Sequence, residues 1–220
     1  MPVATPKPTP TLDLERRLLD DHRVVIAIDE VGRGALAGPV SIGAIALDPS
    51  TGDAPEGVRD SKALSAARRR ALAPAVIEWA RASTVIDVPS TRIDEVGIVR
   101  ALGEGARAAA LGVLEDASID EAIVLLDGHH DFLGPLDRSW RVRTVVKGDA
   151  TCASIAAASI IAKVHRDGIM AELHRAFPHY GWDRNVGYGT QQHRRALHDV
   201  GVCVHHRMSW RLIAEPTLDL

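Results

Sequence analysis

Two cysteines in 220 residues, Cys152 and Cys203, give neither a zinc-ligand spacing nor a disulfide framework. Both are expected to be reduced structural thiols, as in an intracellular compartment. No apolar run approaches the roughly 20 residues that span a bilayer. Met1 to Thr11, rich in Pro and Thr, has no apolar core of a secretory signal. A soluble, cytoplasmic protein without a membrane partner is the expectation. Aromatic residues number only eight, so a core must rest on Ala, Val, Leu and Ile. No Gly-Lys-Ser/Thr occurs, which removes a Walker-type phosphate loop. Strong net basicity is absent too, the formal charge being −3. The charge is unevenly spread, however. From Arg138 to Arg211 twelve Lys and Arg stand against five Asp and Glu, so this stretch carries +7 and the remainder −10. A basic binding face beside an acidic body and uneven surface pairing account for this equally well.

Hydrophobic content of 46% over this length suits one sizeable core. Residues 1–11 read as a disordered tail and 12–220 as a single domain. Helices are expected at 12–19, 65–81, 93–114, 151–177 and 191–200. Strands are expected at 24–28, 40–47, 84–88, 122–126 and 141–146, the first two as an antiparallel hairpin. Strands mixed with helices imply an α/β sheet of mixed direction with helices on its faces. Small residues dominate Cys152–Ala162, which lets that helix approach its neighbour closely.

The chemistry gathers in Ile26-Ala-Ile-Asp-Glu-Val-Gly-Arg-Gly34, where an apolar run ends in two carboxylates and a Gly-Arg-Gly turn. Carboxylates hold hard divalent cations, and a glycine-flanked arginine can hold a phosphate. A second apolar run ends at Asp127-Gly128, and Asp167 lies on the long helix. Sites in open α/β sheets gather at the carboxyl ends of strands. Taken singly, each acid reads as a turn-former or cap, and Lys163 with Asp167 as a helical salt pair. The repetition points instead to Asp29, Glu30, Asp127 and Asp167 as metal ligands. All-oxygen ligands suit Mg²⁺ or Mn²⁺, and two such ions suit hydrolysis of an anionic phosphodiester. Neighbouring strand residues face opposite ways, so Asp29 and Glu30 share a site only if the strand ends or bends there. His129-His130 and His205-His206 lack partner ligands and read as structural or surface residues. Gly32-x-Gly34-x-x-x-Gly38 imitates a dinucleotide fingerprint, but Pro39 and another strand-like run leave no room for the required helix.

These segments in order resemble the ribonuclease HII (type 2 ribonuclease H) family over roughly residues 24–211. The matching pieces are Asp29–Gly34 with Leu36–Val40, Asp60-Ser61-Lys62 with Leu64-Ser65, and Asp127-Gly128. Lys147-Gly148-Asp149 through Ala156–Val164 and Arg166-Asp167 follow, then Tyr180-Gly181-Trp182 with Asn185, Gly187–Thr190 and His193. The resemblance implies a ribonuclease H-like mixed β-sheet flanked by helices, with a C-terminal helical extension over about 178–220. It implies endonucleolytic cleavage of RNA in RNA–DNA hybrids and 5′ of single ribonucleotides embedded in duplex DNA, by a monomer. It further implies that the four acids bind Mg²⁺ or Mn²⁺, that Gly32, Arg33 and Gly34 sense the 2′-hydroxyl, that Ser61 and Lys62 grip phosphate, and that Tyr188 stacks on the neighbouring deoxyribose. Ala63, Val186 and His129 depart from the family pattern, and the first two remove positive charge near the duplex. Two other readings remain: a related nuclease or integrase cutting all-DNA, and a nucleic-acid-binding module with structural acids.

Overall fold

The computed structural model describes residues 9–114, 122–134 and 141–212. Within them the chain forms α1 (Asp13–Leu19), β1 (Val24–Val31), β2 (Val40–Leu47), α2 (Ala66–Trp79), β3 (Ala82–Val88), α3 (Ser90–Val96) and α4 (Ile98–Leu114). β4 (Ala122–Asp127), β5 (Arg141–Val145), α5 (Gly148–Thr151), α6 (Ala153–Ala176), α7 (Trp182–Asn185) and α8 (Gln191–Val200) complete it. Short 3₁₀ turns lie at Ser61–Ala63 and Pro178–Tyr180.

The five strands form one sheet in the order β3-β2-β1-β4-β5. β1 runs antiparallel to β2 and parallel to β4, and β4 runs parallel to β5. This is the expected mixed α/β sheet. Alternation along β1 splits the core. Val24, Ile26 and Ile28 pack with α4 residues such as Leu102 and Ala106, while Val25 and Ala27 pack with Cys152 and Ile155 beside α6. The small residues of α6 serve a close approach to β2. A Cβ on Gly43 would lie 2.4 Å from the Ala158 carbonyl oxygen.

Several boundaries differ from expectation. The helix foreseen at 93–114 is two helices, broken at Gly97, whose φ of +79° ends α3. The helix foreseen from 151 is interrupted at Cys152, whose extended backbone bridges to Thr11. Thr11 is thereby tied to α6 through Ala153 N–H and Thr151 O, rather than belonging to a free tail. Residues 1–8 of that tail and the final 213–220 lie outside the described residues. Ser65 caps α2, its hydroxyl accepting from Arg68 N–H. Among the described residues no helix is long and apolar enough to cross a membrane.

The C-terminal segment builds its own small core. Trp182, Tyr180, Met170 and Leu197 are buried there against Leu36 and Ala37, which belong to the turn after β1. That packing ties the chain end to the Gly-Arg-Gly turn, and both cysteines are free thiols.

Candidate active site

The register places the acids. Ile28 of β1 pairs with Leu126 of β4, so Asp29 and Asp127 stand level at the carboxyl ends of two adjacent parallel strands. Asp127 in turn pairs with Val145, and the chain leaving β5 returns Asp149 in α5 to the same end of the sheet. Asp29 and Asp127 share the strand parity of Ala27 and Leu125, hence the α6 side of the sheet. There Asp29 accepts a hydrogen bond from Ser159 of α6, whose hydroxyl lies 2.9 Å from that of Ser61.

The strand expected at 24–28 neither ends nor bends at Asp29-Glu30 but runs on to Val31. The strand pairs regularly with β2 as far as Val31. What ends is the sheet beside it, because pairing with β4 stops at Ile28. Glu30 therefore reaches around the end of β4 from the opposite face, and its charge is felt by both Asp29 and Asp127.

Each carboxylate has a local donor. The Arg33 guanidinium lies 3.3 Å from Glu30, the Gly148 N–H donates to Asp127 at 2.7 Å, and Lys62 Nζ stands 3.5 Å from Asp149. These donors do not balance the charge. Burial, then the charges of Glu30, Asp127 and Asp149, raise the Asp29 carboxyl well above its ordinary value despite the Ser159 bond. Burial also raises Glu30, partly offset by Arg33. Asp127 is raised by burial and by Asp149, with the Gly148 amide opposing. Burial works against the charge on Lys62, but Asp149 and Asp29 outweigh it and hold its ammonium firmly protonated. Four carboxylates crowding one sheet end, with only oxygen atoms to offer, fit hard divalent cations. Among the described residues no three acid, His or Cys side chains already converge on a common ion position.

Asp167 is elsewhere. It lies eight residues along α6 beyond Ser159, about 12 Å at 1.5 Å per residue. Its carboxylate is bonded to Lys163 and lies 3.6 Å from Arg69. The helical salt pair foreseen as the plain alternative is the arrangement found. The acid brought to Asp29 and Asp127 is Asp149. The sequence held a signal for it in the Lys147-Gly148-Asp149 run of the same motif piece, whose other acid, Asp167 on the helix, was the expected fourth ligand.

A cleft of about 490 Å³ opens over Asp29 and Glu30, two of the four acids, and is lined further by Gly32–Gly34, Ser61, Lys62, Lys163 and Tyr188. All six residues foreseen as substrate contacts thus border one space. Tyr188 is 39% exposed, and its ring edge lies beside Gly34. Ser61 is buried with its hydroxyl engaged by Ser159, whereas the Lys62 side chain is largely free. His129 and His130 lie outside this cleft. His206 is buried in the C-terminal core, a structural position as foreseen.

A mixed sheet with carboxylates at the ends of its central parallel strands, beside a Gly-Arg-Gly turn, defines a nuclease of the ribonuclease H-like class. The family model described as Ribonuclease HII matches residues 26–213. The chain is 43% identical over 206 residues to the Ribonuclease HII of Streptomyces griseus, covering 92% of this chain and 84% of that one. It is 42% identical to that of Salinibacter ruber over 93% of this chain and the whole of the other. The solved ribonuclease H2 of Pyrococcus horikoshii superposes with a TM-score of 0.67 at 25% identity, over 86% of this chain and 94% of that one. The chain belongs to the ribonuclease HII family and is a ribonuclease H enzyme.

Proposed function

We propose that this enzyme hydrolyses the RNA strand of RNA–DNA hybrids and cuts 5′ of single ribonucleotides embedded in duplex DNA, leaving 3′-hydroxyl and 5′-phosphate ends. The observation that carries this reading is one cleft in which Asp29 and Glu30 meet the Gly32–Gly34 turn and Tyr188, with Asp127 and Asp149 near enough for their charges to act on Asp29. The four carboxylates would hold two Mg²⁺ or Mn²⁺ ions, which when bound supply an activated water and stabilise the leaving oxygen. Asp149 takes the fourth place in this ligand set and Asp167 does not.

The protein's own groups divide the remaining work. The backbone of Gly32–Gly34 lies against the position of a sugar edge and reads the 2′-hydroxyl, the group that separates RNA from DNA. Tyr188, next to Gly34, stacks on the adjoining deoxyribose. Lys62 and Lys163, both at the cleft, draw the phosphate backbone without reading bases. Ser61 acts indirectly, through Ser159, by fixing the Asp29 carboxylate.

Duplex DNA with one ribonucleotide, an all-DNA control and Mg²⁺ or Mn²⁺ test the reading. Cleavage 5′ of the ribonucleotide, abolished by chelator and by Asp29→Asn, is expected. Equal cutting of the all-DNA control would refute it, as would binding without turnover.

A further inference from the structure

Arg166 and Arg207 are fully buried, and among the described residues neither makes an ion pair. Every hydrogen bond they form goes to a backbone carbonyl. Arg207 donates to Gly32 O and Arg33 O at 2.7 Å each and to Gly38 O at 3.3 Å. Arg166 donates to Pro39 O and Val186 O at 2.8 Å and to Ala37 O at 3.1 Å. Burying a cation without a counter-charge costs several kcal/mol, and a well-packed apolar side chain is often no less stable. Burial pulls Arg207 down to about 10, which leaves it charged at neutral pH, and lowers Arg166.

The geometry of the peptide unit shows what the arginines achieve. In a trans peptide the C=O and the following N–H point in opposite directions. Gly32 O also accepts from the Ala35 N–H at 3.1 Å; with Arg207 holding both Gly32 O and Arg33 O inward, the amides of Arg33 and Gly34 turn the opposite way. Among the described residues those two amides make no backbone hydrogen bond, and both residues line the cleft. Arg166 extends the same frame to the second contact. It holds the turn after β1 through Ala37 and Pro39, and it holds Val186, two residues before Tyr188, whose ring centroid lies 5.9 Å from its guanidinium carbon. Only a glycine at position 32 admits this packing, since a Cβ there would lie 2.0 Å from Arg166 Nε.

We propose that Arg207 and Arg166 are positioning residues for sugar specificity: Arg207 aims the Arg33 and Gly34 amides at the ribose 2′-hydroxyl, and Arg166 locks that turn to Tyr188, so that the two sugars of a ribonucleotide–deoxyribonucleotide step are read as one unit. This rests on the function proposed above and adds to it the groups that create the selectivity.

The test is the affinity of the full-length protein for a single-ribonucleotide duplex and for an all-DNA duplex, with Ca²⁺ holding back turnover. Arg207→Lys keeps the charge but loses the planar fork. It is expected to bind the ribonucleotide duplex about tenfold more weakly, the scale of a lost charge-assisted hydrogen bond, with all-DNA affinity unchanged. Arg166→Lys is expected to reduce the same preference, and to reduce it no further once Tyr188→Ala is present. Equal weakening on both duplexes, or none, would make the arginines mere scaffold and overturn the proposal. A wild-type protein that does not prefer the ribonucleotide duplex would instead overturn the underlying function. Should the variants not fold, amide exchange in the wild type decides. The Arg33 and Gly34 amides should be protected by the ribonucleotide duplex and not by all-DNA, and protection by both, or by neither, refutes their aim at the hydroxyl.

Discussion

Asp149 and Asp167 are both acids near the long helix, and their neighbours give them opposite roles. Asp149 faces other carboxylates across the end of the sheet, whereas Asp167 faces Lys163 and Arg69. Asp149→Asn is expected to abolish cleavage and weaken Mn²⁺ binding by more than the roughly 10–100-fold that outer-shell partners of a metal are worth. Asp167→Asn should leave Mn²⁺ affinity, read by calorimetry, within about twofold and cost no more than the ~0.2–1 kcal/mol of a partly exposed ion pair. Asp29, Glu30 and Asp127 were legible because each follows an apolar run, although only Asp127 ends its strand. Asp149 was not, because it returns to that end only through the path of the chain leaving β5. Arg166 and Arg207 were invisible for a related reason: a buried arginine bonded only to carbonyls leaves no pattern in its neighbours.

At the scale of elements, β1 with β2, α2, β4, β5 and α8 were foreseen, and the structure adds the Thr190 cap of α8, whose hydroxyl accepts from His193 N–H. The breaks at Gly97 and Cys152 were not foreseen, since they depend on contacts with distant segments. The C-terminal segment carries its own pH dependence. Trp182 Nε1 donates to His193 Nε2, and the His206 Nε2 lies 3.1 Å from the same nitrogen. The Cys203 amide donates to His206 Nδ1. The pair therefore packs neutral, and burial depresses His206 to about 4 and lowers His193. A histidine with a depressed folded value binds fewer protons folded than unfolded, so its contribution is whole above the unfolded value near 6.5 and is lost as pH falls towards 4. Thermal melts should lose at most about 3 kcal/mol from His206 between those limits. His206→Gln should flatten that part of the profile, and a profile unaltered by the substitution would remove the histidine as its cause.

Across the whole molecule, the +7 stretch from Arg138 to Arg211 includes Arg184, Arg194 and Arg195 of the C-terminal helices, which are exposed. Duplex binding is therefore expected to fall steeply with salt. A log–log slope of roughly −3 to −5 corresponds to three to five phosphates neutralised on B-form DNA. A slope near zero, measured by titration at several salt concentrations, would mean that this charge does not face the duplex.

The sequence alone determined the mixed α/β class, the apolar runs leading to Asp29 and Asp127, and the family, because these are encoded in local periodicity and in motifs of adjacent residues. The tertiary structure decided how Glu30 joins its neighbour without a bend, which acid completes the cluster, and what aims the Gly-Arg-Gly turn. Those outcomes depend on strand register and on contacts across more than a hundred residues, such as Arg207 with Gly32, where proximity is set by packing rather than by spacing along the chain.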